Sequence, residues 1–226
     1  MYEVTERPPA LEGGKVVVIE GVNGIGKTTL IKNLMLSGVS SAPISLKEDA
    51  AYSSLALELW RMIHRDKTLS PLTRLYLIDA ARVEFIHNVL IPIKKEYDLI
   101  LLDRFFLSTL VYQSLDIPMA DCLTISKPSL MPYGYVGLID GTIYLRGDVE
   151  TAMQRMDAAK QSEKKHVFDN KRAMEVGDKY DSVMSHANTY DGKGEFGKIT
   201  RIDGMQSEKQ VLMDAECFIN ALKGEK

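Results

Sequence analysis

The stretch EGVNGIGKTTLIKNL, residues 20–34, decides the fold. Directly before it runs KVVVI, a segment apolar on both faces of a strand, the kind buried inside a parallel sheet. Gly21, Gly26, Lys27 and Thr28 then match G-x-x-x-x-G-K-[ST], the phosphate-loop (P-loop) pattern, at every fixed position, and helix-forming TLIKNLML follows at once. Gly21, Gly24 and Gly26 let the backbone curl with its N–H groups inward, and the helix beginning near Lys27 aims its positive end at the same point. A polyphosphate is the natural occupant, wrapped by residues 21–29, with Asn23, Ile25 and Thr29 completing the loop. Lys27 would reach the β- and γ-phosphates, and the Thr28 hydroxyl would ligate Mg²⁺. The glycine spacing, GxxGxG, is not the dinucleotide fingerprint GxGxxG.

Outward from this loop, further strands are predicted at ISLK (44–47), YDLILLD (97–103), TIYLR (142–146) and KITRID (198–203). Helical periodicity falls between them, over about 50–65, 71–91, 105–115, 149–156 (capped by Asp148), beyond the charge-rich 160–172 to about 187, and 207–222, with Pro92 bending or ending the second. Residues 116–141, rich in Pro and Gly near their end, read mostly as loop. Alternating strands and helices imply right-handed crossovers, so the fold class is α/β: a P-loop three-layer α/β/α architecture on a parallel sheet of about five strands, with a lid segment. Ligands of such sheets bind beyond the carboxyl ends of the strands, where both the glycine loop and Asp103 fall.

Composition bounds the rest. The 226 residues are 45% hydrophobic and 26% charged, enough for one core: residues 15–226 read as one domain behind a loose arm, residues 1–14. A net charge of -3 disfavours a dedicated nucleic-acid binder. Cys122 and Cys217 lack paired spacing, which argues against a disulfide framework or zinc site and fits a reducing compartment. The N-terminus lacks the apolar core of a signal peptide, and no apolar run approaches a membrane span, so a soluble, cytoplasmic protein without membrane partners is expected.

Asp103 and Arg104 supply the second half of a site. A carboxylate ending a buried strand beside the P-loop strand can hold the metal's water shell, and the adjacent guanidinium is a planar fork for a phosphate. The plain alternative is an ion pair capping a strand end. With VVVIEGVNGIGKTT, LILLDRFFLSTLVYQ, DGTIYLRGD and RIDGMQSEKQVLMDA in this order, the chain resembles thymidylate kinases over nearly all of its length after about Lys15. The most specific piece is DR-[FY]-x-x-S-x-x-x-Y-Q: Asp103, Arg104, Phe105, Ser108, Tyr112 and Gln113. The resemblance implies ATP-dependent phosphorylation of dTMP to dTDP with Mg²⁺, usually as a homodimer. It implies catalytic roles for Lys27, Asp103 and Arg104, with Thr28 and Asp103 on the metal side. Arg104 would grip the acceptor phosphate, Ser108 and Thr109 would lie near the base, and Tyr112, followed by Gln113, near the sugar. Arg82 sits on an otherwise apolar stripe with Leu75, Ile78, Phe85 and Val89; by resemblance it meets the base carbonyl, and by plain chemistry it pairs with a neighbour such as Asp79.

The chain departs from the family pattern at three places. Ile78 stands where the family has a phenylalanine stacked on thymine, Lys47-Glu48-Asp49-Ala50 replaces Arg-Glu-Pro-Gly, and Asn23 replaces an acid at the sugar hydroxyl. Gly24 occupies the P-loop position where one branch carries Arg. The transition-state cation should then come from a lid over about 157–172 and its approach, where Arg155, Lys160, Lys164, Lys165, Lys171 and Arg172 cluster, unless that run is only a solvated face. Two rivals remain. A deoxynucleoside kinase would use Glu48 or Asp49 as base for a hydroxyl acceptor, whereas a phosphate acceptor is already anionic and needs none. A nucleotide-dependent switch would turn over ATP without any acceptor.

Overall fold

The computed structural model of the chain describes residues 13–49, 53–130, 137–160, 170–187 and 196–224. Five strands form its sheet: β1 (Lys15–Glu20), β2 (Pro43–Leu46), β3 (Leu99–Asp103), β4 (Gly141–Arg146) and β5 (Lys198–Asp203). They lie in the order β2-β3-β1-β4-β5, and every pair is parallel. β1 is central because it is apolar on both faces: Val16, Val17 and Ile19 are wholly buried, as are Leu99, Ile100 and Leu101 beside it. Val16 stands opposite Ile100 and Val18 opposite Thr142, so the strand that feeds the glycine loop is flanked on both sides. Gly13 and Gly14, which close the expected arm, are pinned to this layer. The Gly14 N–H donates to the Lys94 carbonyl at 2.8 Å, and Lys94 Nζ returns a bond to the Gly14 carbonyl at 2.6 Å.

The crossovers are helices α1 (Lys27–Leu36), α2 (Ser54–Arg65), α3 (Pro71–Phe85), α4 (Ile91–Lys94), α5 (Phe106–Gln113), α6 (Met119–Leu130), α7 (Val149–Lys160) and α8 (Asn170–Ala187), and α9 (Glu208–Gly224) follows the last strand. Their starts follow local chemistry. Ser53 and Ser70 accept from the N–H groups of Ala56 and Thr73, Pro71 opens α3, and Asp148 accepts from the Thr151 N–H at 2.7 Å.

Two expectations change. The α-helix from Pro71 gives way before Pro92: a π-helical turn, Ile86–Leu90, comes first, and the chain continues helically through Pro92 in α4. Residues 119–130, expected as loop, are helix α6. Its buried face is Cys122, Ser126, Ser129 and Leu130, mostly small and polar, so no apolar period marks it, and Pro128 sits in its last turn. That face is polar for a reason: Ser126 and Ser129 donate to Asp79 of α3 at 2.7 and 3.0 Å.

Candidate active site

The loop after β1 is a cup closed against α7. Gly24 has φ 81, and a Cβ there would lie 1.9 Å from the Ala152 carbonyl oxygen, so no side chain fits at this position without moving α7. Gly26, also left-handed at φ 107, opens α1, whose first turn follows at Lys27, Thr28 and Thr29. Both threonines are exposed to the cleft; Lys27 is only 7% exposed. Its ammonium is folded onto the loop, donating to the Gly21 and Val22 carbonyls at 3.0 and 2.8 Å. Burial first, and then the Arg104 charge, pull its pKa down to about 7, although Asp103 and Glu20 oppose them.

Arg104 faces this cup from the end of β3. Its guanidinium donates to Asn23 Oδ1 of the loop at 2.7 Å, to Ser108 Oγ at 3.0 Å and to the Tyr180 hydroxyl at 2.6 Å, and lies 5.5 Å from the centre of the Tyr112 ring. Its backbone is left-handed, φ 70, the one such non-glycine residue among those described. A conformation of this kind costs about 1–3 kcal/mol and persists only where the surroundings impose it. Here the imposing group is Glu20, the wholly buried last residue of β1. One Glu20 oxygen accepts the N–H groups of Phe105 and Ser108 at 2.9 and 3.1 Å, capping α5; the other accepts Ser108 Oγ at 2.6 Å and the Tyr180 hydroxyl at 3.0 Å. Burial, with the Glu20 charge next, holds the Tyr180 phenol protonated. Glu20→Gln would turn an amide N–H₂ toward these donors; a loss of about 2–3 kcal/mol in urea unfolding is expected.

Asp103 is paired with Lys47 at 2.8 Å, and that hydrogen bond raises the lysine's pKa. Thr109 and Gln113 line the cleft from α5, with Tyr112 beside them. Arg82 lies one layer back. It is wholly buried and does not border the cleft; it bonds Asp79 at 3.0 Å, Thr109 Oγ1 at 2.6 Å and Glu48 Oε2 at 3.2 Å. Its Nε is 2.9 Å from Glu48 Oε1, close enough for charge pairing but not aligned as a hydrogen bond, so both atoms lack a hydrogen-bond partner. The side chain that borders the cleft here is Glu48, whose carboxyl burial pushes up against the pull of Arg82. Arg155 and Arg172 also border it: Arg155 reaches the Gly204 carbonyl at 3.3 Å, and Arg172 stands 3.9 Å from Asp116. Lys160 ends α7, and Lys164 and Lys165 lie outside the described residues.

The sequence reading missed Glu20 and Tyr180. Glu20 was legible as a charge at the end of a buried strand, which must find partners. Tyr180 was masked by the apolar stripe that it shares with Val176 and Val183.

The cleft bordered by the glycine loop, Asp103, Arg104, Thr109, Gln113, Arg155 and Arg172 has a volume of about 1440 Å³, more than one small ligand requires. It crosses the carboxyl ends of the strands. One arm lies between α2 and α3, the other beside Gly204, Gln206 and Glu208 at the start of α9, with the cup between them. A parallel α/β sheet whose central strand feeds a glycine loop, lysine and helix defines a P-loop nucleotide-binding protein.

The thymidylate kinase family model matches residues 19–195. The thymidylate kinase of Rickettsia typhi is 32% identical over 168 residues, 72% of this chain and 77% of that protein. Those of Neorickettsia sennetsu (38% over 98 residues) and Chlorobium limicola (31% over 148) match 43% and 62% of this chain; it spans 49% and 64% of their lengths. The crystal structure of the Ehrlichia chaffeensis thymidylate kinase has the same fold, with a TM-score of 0.61 at 17% identity, covering 92% of this chain and 99% of that one. The chain belongs to the thymidylate kinase family.

Proposed function

We propose that this chain transfers the γ-phosphoryl group of ATP to the phosphate of a deoxynucleoside monophosphate, dTMP foremost, giving ADP and dTDP. The observation that carries this reading is the 2.7 Å bond between Arg104 and Asn23, which supports the Arg104 guanidinium as a phosphate fork beside the cup that would hold ATP. ATP phosphates lie on residues 21–29, and its base takes the arm beside α9. The acceptor phosphate lies on Arg104 and its base between α2 and α3. The new P–O bond forms to an acceptor phosphate oxygen as the bond to the β-phosphate oxygen breaks. No base is required, because that oxygen is already anionic.

Lys27 holds the β- and γ-oxygens, and Arg155 and Arg172, the described members of the basic lid cluster that border the cleft, meet charge on the equatorial oxygens. Gly24 leaves no room for a cation in the loop itself. Thr28 and Asp103 face the same cleft and fit Mg²⁺, which takes few protein oxygens and completes its shell with water and nucleotide phosphates. Bound there, the ion would neutralise the phosphates. Arg82 acts through Glu48 and Thr109, holding them at the acceptor. Exposed Leu55 and Met62 on α2 and Leu72 and Tyr76 on α3 support a homodimer through this face, and two free cysteines support a cytoplasmic location.

The test is ADP release with ATP and Mg²⁺ against a panel of deoxynucleosides and their monophosphates. Turnover of monophosphates, dTMP best, is expected. Preference for nucleosides would instead make Glu48 the base of a nucleoside kinase, and ATP turnover without any acceptor would indicate a switch.

Lys27 links ATP binding to pH. In the free protein its pKa, about 7, is depressed from 10.5, so between these values the unfolded chain holds more proton and stability rises with pH. Phosphates laid against the ammonium restore its charge. ATP binding near pH 8 should therefore take up close to one proton, measured by calorimetry in buffers of different ionisation enthalpy, and the uptake should fade well below pH 7.

A further inference from the structure

The arm between α2 and α3 contains the chain's one tryptophan. Trp60 is half-buried, borders the cleft with Ile63 and His64, and stacks on His64 with ring centres 5.7 Å apart and planes 24° from parallel. Its Nε1–H is buried without an acceptor. A phenylalanine would fill this place without an orphaned donor, so stability does not account for the indole. Its large π-face does.

Across the arm α3 offers Ile78, an aliphatic side chain 5% exposed. The other aromatic rings among the described lining residues serve cations: Phe105 lies 5.2 Å beneath the Arg82 guanidinium, and Tyr112 5.5 Å from that of Arg104. We propose that Trp60, one face of its indole stacked on His64, is the platform on which the acceptor's base stacks. This rests on the acceptor assignment above and adds the residue that supplies base affinity. Because every base has a π-face, such a platform supplies affinity without choosing the base, so the selectivity must come from polar neighbours.

With a single tryptophan, emission reports this position alone. Titrating the full chain with dTMP should quench that emission saturably, with a midpoint near the acceptor KM, whereas ATP alone should leave it unchanged. Trp60→Leu should raise the acceptor KM about ten-fold with kcat and the ATP KM little changed, and Trp60→Phe about three-fold with stability equal to wild type or better. A chain that turns over dTMP while its emission stays silent, or a Trp60→Leu variant with an ordinary acceptor KM, overturns the platform alone. The same quench with ATP alone, or loss of stability in Trp60→Phe with an unchanged KM, also overturns it. Failure to turn over any monophosphate removes the platform and the kinase reading together.

Discussion

Lys27→Ala is expected to lower kcat at least about a thousand-fold while the protein stays folded. The reacting γ-phosphoryl group carries its charge on oxygens that no other buried ammonium of the loop can reach, so the loss falls on the transition state. Stability should hold, because in the free protein this ammonium is confined at 7% exposure with its pKa already drawn down to about 7. Removing it relieves an electrostatic burden that offsets the donor lost by the Gly21 and Val22 carbonyls. Lys27→Met, which keeps the aliphatic stem, controls for packing. Coupled ADP-release kinetics and urea unfolding measure the two halves, and turnover within ten-fold of wild type would refute the phosphate-binding role.

The second large effect is at Arg104. Arg104→Ala should raise the acceptor KM about a hundred-fold and the ATP KM no more than about two-fold, since a bidentate, charge-assisted pair contributes roughly 2–3 kcal/mol. Arg104→Lys should recover little. A lysine cannot span Asn23, Ser108 and the Tyr180 hydroxyl at once, nor present a flat fork over the Tyr112 ring. The left-handed backbone at this residue aims the guanidinium back toward the loop. Equal losses for both substrates, measured by varying each at saturation of the other, would count against the assignment.

Most of the architecture was legible because the strands are continuous apolar runs and the glycine loop has a fixed spacing; all five strands lie within two residues of where the sequence puts them. Helix α6 was not, since its buried serines satisfy Asp79 and leave no apolar period. The π-helical turn leaves no mark that composition or spacing can register. At the site, the cup and Arg104 were readable as motifs. Whether Arg82 borders the cleft depends on side-chain depth, which periodicity does not carry: its stripe gave burial, and Glu48, Asp79 and Thr109 bond its two terminal nitrogens. Trp60 was invisible for the same reason, because a lone aromatic on an amphipathic helix looks like any other core residue.

The bond from Tyr180 to Glu20 joins residues 160 apart in the chain. During synthesis the glycine loop emerges from the ribosome long before the phenol that completes its surroundings. Parallel pairing offers no early hairpin to bridge the wait. A nascent chain that already displays the nucleotide loop, and even α5 with its donors to Glu20, therefore still lacks the last donor to that carboxylate, and the guanidinium lacks its third acceptor until α8 docks. The site is completed late in translation.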